Sequence, residues 1–306
     1  LMILLYVPPV QNFLRKQATV YASQATGMQI NVGRIDLRFP LNLLVRDVEV
    51  VQAPDTLLTL ASLNVHVQAM PLFKGKIEVD DITIQRVAVN SANLIEGMQI
   101  RGVLGRFFLE SHGVDLGNEL AVINRAELSD THIGLILTDT TTTEKPDTAS
   151  APVNWKVNLH ALNLKNVSFS MQLPADSMRM AAHVGEATVN DVSADLKQQF
   201  YGLRSFLLTG ASVNYDTGNA LPAEGFDPSH IALRDIRIGI DSVLYQGRNM
   251  NAVIREFSMN ERSGLSVTSL TGRVFADSTL IRVPYFRLLT PHSEMNLTAQ
   301  TYWELV

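Results

Sequence analysis

From residue 28 onward, apolar and polar residues alternate with a period of two. Runs of Val, Ile, Leu, Thr and Phe are broken by Asp, Asn, Gly and Pro, the pattern of half-buried strands separated by turns. The alternation repeatedly misses a beat. In "LLVRDVEV" (43–50) the pair Leu43 and Val45 is followed by Val48 and Val50, three residues on instead of two. "IALRDIRI" (231–238) makes the same slip, with Ile231 and Leu233 before Arg234-Asp235 and Ile236 and Ile238 after it. The pattern recurs at 30–37, at 82–89 (Ile82, Ile84, Val87, Val89) and at 162–169 (Leu162, Leu164, Val167, Phe169). It also recurs at 58–65, 187–194, 206–213, 252–259 and 281–288. A chain this apolar meets such spacing about a dozen times by chance, so the weight rests on the polar residues that usually fill the centre.

A two-residue hairpin turn at each slip would favour Asn-Gly or Asp-Gly, and Arg-Asp, Gln-Arg and Lys-Asn suit it poorly. The alternative is a continuous strand with a β-bulge, an extra residue that keeps both apolar pairs on one face and bends the strand. Repeated in neighbouring strands, bulges curl a sheet, with one face apolar and the other carrying Asp, Arg, Thr, Asn and Gln. Such a sheet either closes over its own side chains, the commoner outcome, or stays open as a trough whose apolar surface serves a ligand or partner.

The first residues read differently. Residues 1–7 (Leu1, Met2, Ile3, Leu4, Leu5, Tyr6, Val7) are uniformly apolar, which fits either a buried strand or the remnant of a membrane anchor. Pro8-Pro9 then opens an expected amphipathic helix over 8–27, with Val10, Phe13 and Leu14 on its apolar stripe and Gly27 as its stop. Two β-rich segments follow, 28–138 and 153–306, the second continuing the sheet of the first. The Thr/Pro-rich stretch 139–152 is expected as a linker or loop between them, and 217–229 is a second long loop. Residues 93–120 follow neither period.

Charge and composition narrow the function classes. Apolar residues make up 46% and the net charge is −5, which suits a folded chain and not a general nucleic-acid binder. The first 46 residues are the exception, with five basic residues against Asp36 alone. The sequence has no cysteine, so thiolate chemistry and disulfides are excluded. No phosphate-binding Gly-Lys-Ser/Thr loop, Gly-x-Ser-x-Gly or His-Glu-x-x-His motif occurs. "SDTHIG" places Ser129 and Asp130 beside His132, but neighbours in sequence do not make a triad. Asp80 and Asp81, adjacent on a strand, point to opposite faces and cannot share a cation. No catalytic, cofactor-binding or metal site is expected, and the chain is not read as an enzyme.

The anchor, the Pro-led helix, the Gly turn and then "INVGRIDLRFPLNLLVRDVEVVQAPDTLLTLASLNVHVQAMPLFKGKIEVDDITIQRVAVN" resemble the N-terminal region of the AsmA-like superfamily, most closely the TamB-type translocation and assembly module proteins of Bacteroidota. The resemblance covers most of the chain and is strongest over 1–90 and 229–301. It implies a mostly β fold: an elongated, curled antiparallel sheet, taco-like in section, behind one N-terminal amphipathic helix. It implies an inner-membrane anchor at residues 1–7 with Val10, Phe13 and Leu14, and a periplasmic body in the bacterial envelope. The four apolar quartets named above would line a groove for phospholipid acyl chains. Family members are thought to carry lipid between the two membranes, or to assist outer-membrane protein assembly with a barrel partner bound through a C-terminal domain, which the resemblance places beyond these residues. The alternative is a purely structural β-scaffold that binds a protein partner.

Overall fold

The computed structural model describes residues 26–68, 79–91, 96–115, 119–138 and 154–302, with Leu94 and scattered positions between 12 and 24. Fifteen strands form a single sheet: β1 (Gln29–Arg38), β2 (Asn42–Gln52), β3 (Asp55–Val67), β4 (Val79–Asn90), β5 (Met98–Asp115), β6 (Leu120–Leu137), β7 (Lys156–Leu173), β8 (Met178–Asp195), β9 (Phe200–Asp216), β10 (His230–Gln246), β11 (Asn249–Glu261), β12 (Ser266–Val267), β13 (Ser269–Ala276), β14 (Leu280–Leu289) and β15 (Glu294–Tyr302). Spatial order follows chain order, except that the short β12 pairs with β11 off the main path. The sheet is curled and open. At about 4.8 Å per strand it is roughly 60 Å wide.

Every extensive contact between strands is with a hydrogen-bonded neighbour, and no side chain among the described residues is fully buried. No second layer covers either face among the described residues. Among the described residues the strands therefore do not build the closed core that is commoner for such patterns.

Two expectations change. The sheet is not wholly antiparallel: β6 and β7 pair in parallel, Leu120 with Lys156 and Ile136 with Gln172. An antiparallel pair closes with a short turn, whereas a parallel pair needs a crossover of a dozen or more residues, and residues 138–155 supply that length. Residues 93–120, which showed no period, contain the whole of the long strand β5. Of the amphipathic helix expected over 8–27, the described positions Asn12, Lys16, Gln17, Thr19, Val20, Ser23, Gln24 and Thr26 are helical, and the apolar stripe that would make it amphipathic lies largely outside the described residues. Residues 1–7, Val10, Phe13 and Leu14 lie outside the described residues, as does the 139–152 stretch. Among the described residues no helix is long and apolar enough to cross a membrane.

Candidate functional site

The strand registers line the apolar quartets up into four rows that run across the sheet. One row passes through Ile30, Val50, Leu58, Val89, Gly102, Ile133, Phe169, Ala182, Val213 and Leu233. The next contains Val32, Val48, Leu60, Val87, Leu104, Thr131, Val167 and Val184, and the flanking pairs of β8 and β9 set Val184 level with Ala211, which pairs with Ile236. The third holds Ile35, Val45, Leu63, Ile84, Phe107, Leu128, Leu164, Ala187, Leu208 and Ile238. The fourth runs from Leu37, Leu43, Val65 and Ile82 through Leu109, Ala126, Leu162 and Val189 to Phe206 and Ile240. All sixteen residues of the four quartets are half-buried, except Ile236, which is buried. Fifteen of the sixteen fall in these rows. Ile231 lies one step outside, level with Tyr215.

Sequence reasoning missed the contributions of β5 and β6. There the quartets read Gly102, Leu104, Phe107, Leu109 and Ala126, Leu128, Thr131, Ile133, so one glycine and one threonine hide the pattern.

The missed beat takes two forms. At 231–238 and 281–288 the strand carries an extra residue against its partner, between Leu233 and Ile236 and between Val283 and Phe286, as the bulge reading expects. Between the second and third rows of β1 to β8 the geometry differs from a bulge. From β1 to β8 the register does not shift there. Val32 pairs with Val48 and Arg34 with Arg46, which leaves Gly33 level with Asp47. The same bracketing extends the line through Ala61, Arg86, Gly105, Asp130, Asn166, Gly185 and Gly210. Each strand slips at the same height as its neighbour, so no residue is left over. Asp47, Arg86, Asp130 and Asn166 have φ of 51–53° and Gly210 has φ 64°, the left-handed region that costs most residues energy. The chain does adopt positive φ here, but inside continuous strands and not at hairpin turns. The residues set against them are small because space is lacking. A Cβ on Gly33 would stand 2.8 Å from the Asp47 Cβ, and one on Gly105 would stand 2.7 Å from the Asp130 Cβ.

This flip sends two consecutive side chains to the polar face. Arg46 and Asp47, and likewise Gln85 and Arg86, line one pocket there of about 670 Å³. The polar row beside the seam reads Arg34, Arg46, Ser62, Gln85, Arg106, Ser129, Lys165, Glu186 and Thr209. Leu44, only 8% exposed, belongs to the same pocket.

The polar groups that could carry chemistry have structural partners. Asp130 accepts a hydrogen bond from Asn166 Nδ2 at 2.8 Å. Asp81 pairs with His66 Nδ1 at 2.6 Å, while Asp80 accepts from Gln68 Nε2. Each of the two carboxylates thus has its own partner. Asp227 anchors the 217–229 loop by accepting from the backbone N–H of Ala223 and Ser229 at 3.0 and 2.9 Å, and it lies 2.9 Å from His230 Nδ1. Those backbone donors, more than His230, hold its carboxyl down at about 2. Among the described residues no group of His, Asp and Glu could hold a metal ion. No protein-family model matches the chain, and no curated protein matches it.

Proposed function

We propose that this chain is part of an envelope lipid conduit: the sheet of an inner-membrane-anchored, periplasmic protein of the AsmA-like, TamB type. Phospholipid acyl chains lie along the four apolar rows while headgroups stay in water, since burying a charged headgroup is costly. Affinity comes from alkyl surface leaving water, about 0.8 kcal/mol per CH₂. The sequence contains no nucleotide-binding motif, so any direction of transfer has to be imposed from outside these residues. A role in outer-membrane protein assembly with a barrel partner is compatible with the same sheet.

One observation carries this reading: the apolar rows run across ten strands, interrupted only at Gly102 and Thr131, in an open sheet with no second layer among the described residues. Apolar surface of that extent on a soluble body marks a ligand or partner site. The test places a photo-crosslinking amino acid at Val45 or Leu164 in the rows, and at Thr83 or Asn163 on the other face, followed by mass spectrometry. Lipid adducts from the first pair alone are expected. Protein adducts without lipid at Val45 and Leu164 would favour the scaffold reading instead.

A further inference from the structure

The polar pocket on β1–β4, together with Arg106 of β5, has a composition that the acyl-chain reading leaves unused. Arg38, Arg46, Arg86 and Arg106 line it against the one carboxylate of Asp47. Other arginines of this sheet are neutralised: Arg34 meets Asp36 at 2.7 Å, Arg204 meets Asp191 at 2.6 Å and Arg237 meets Glu256 at 2.5 Å. Among the described residues Arg38, Arg46 and Arg86 form no ion pair, and Arg106 has only a 3.7 Å approach to Glu127. Four guanidiniums share one concavity with a single carboxylate among its lining residues. Register explains the crowding. Arg46 and Arg106 stand in one row, and the left-handed flip adds Arg86 to the same side.

We infer that this furrow is an anion-docking surface, and that its occupant is the phosphate of anionic phospholipid headgroups at a bilayer surface. The inference rests on the envelope reading above for its bilayer. Three features favour this occupant. Guanidinium forks match phosphate oxygens in pairs. The furrow is lined mainly by polar side chains, with Leu44 and Ala61 as its apolar members, so it suits a headgroup and not a tail. Its strands are the first of the sheet, directly after the basic and apolar opening of the sequence. The first strands would then stand against the membrane by their polar face, leaving the apolar rows open on the opposite face.

The experiment compares partition of the full chain onto phosphatidylcholine vesicles and onto vesicles with added phosphatidylglycerol, at fixed ionic strength. The ratio of the two partition coefficients cancels any contribution of residues 1–14. Arg46→Gln and Arg86→Asn remove charge, and asparagine tolerates the left-handed backbone at 86. Each is expected to lower the phosphatidylglycerol preference roughly five-fold, with phosphatidylcholine partition unchanged. Arg204→Gln on β9 is expected to leave the preference intact. Circular dichroism confirms that each variant is folded, and Arg106→Gln substitutes for any that is not. An undiminished preference in the Arg46→Gln/Arg86→Asn double variant overturns the inference. So does complete competition by millimolar inorganic phosphate, which would make the furrow a site for a free anion. Crosslinking at Val45 and Leu164 reads the acyl groove separately, so either result can fail without the other.

Discussion

Gly33, Gly105 and Gly185 are set by what stands beside them. A Cβ at 105 would also lie 2.8 Å from the Asp130 carbonyl oxygen, and one at 185 would lie 3.0 Å from the carbonyls of Thr209 and Gly210. These contacts are with backbone or with the first carbon of a side chain, which cannot swing aside. Gly105→Ala is therefore expected to cost about 1–3 kcal/mol, the range for overpacking, read from the urea midpoint. Asp47→Gly, on the left-handed side of the same seam, is expected to stay within about 1 kcal/mol of the parent, because relief of positive φ offsets the greater freedom of glycine in the unfolded chain. This asymmetry was only half legible. The spacing around Arg46-Asp47 and Arg234-Asp235 announced a slip within a strand. Rarity of positive φ in Arg-Asp pointed away from the conformation that Asp47 and Asp235 adopt at 53°. Nothing in a single strand reveals that its neighbour slips at the same height.

At the scale of elements, the seam distinguishes strands by direction. β2, β4, β6, β7 and β9 run from the Leu37 row toward the Ile30 row, and each places a left-handed residue in the seam. β1, β3, β5 and β8 run the other way, and each places glycine or alanine there. β6 and β7 are parallel, and both carry the left-handed residue, Asp130 and Asn166. β10 runs with the second group but carries Asp235, one row displaced, and there the register with β9 shifts. The parallel pair also separates Leu137 from Lys156 by the length of the strands, about 50 Å. The nineteen steps between them reach about 65 Å at full extension. Deleting residues 140–147 lowers that reach to about 40 Å, so the β6–β7 hydrogen bonds are expected to be lost. Hydrogen exchange at Ala126 and Leu164 would report this as lost protection, and same-length replacement by Gly and Ser as none. Protection retained after the deletion would refute the geometry. Composition marked 139–152 as a connection, but strand direction is not written in a period-two pattern, and the resemblance suggested an antiparallel sheet throughout.

The molecule as a whole poses a question of solvent that single substitutions can answer. In a closed core every apolar row would be sealed, and a charge in any of them would be ruinous, since an unpaired buried carboxylate pays desolvation without a partner. In this open sheet the rows differ. Ile236 is 6% exposed and lies where β9 and β10 fall out of register, so its side chain is enclosed by its neighbours. Val48 is half-buried, within reach of water on the open face. Ile236→Asp is expected to cost 3 kcal/mol or more, on the order of a buried unsatisfied charge, and Val48→Asp only about 1 kcal/mol. Chemical denaturation of the two variants measures both. If Val48→Asp folds with near-parental stability and loses lipid adducts at Val45, the apolar rows are an exposed binding surface. Equal and severe losses would mean that another layer covers the rows in solution, and the acyl groove would have to be abandoned. The outcome turns on whether water reaches Val48, which the alternation of Leu43, Val45, Val48 and Val50 leaves open and which the absence of a second layer among the described residues makes testable.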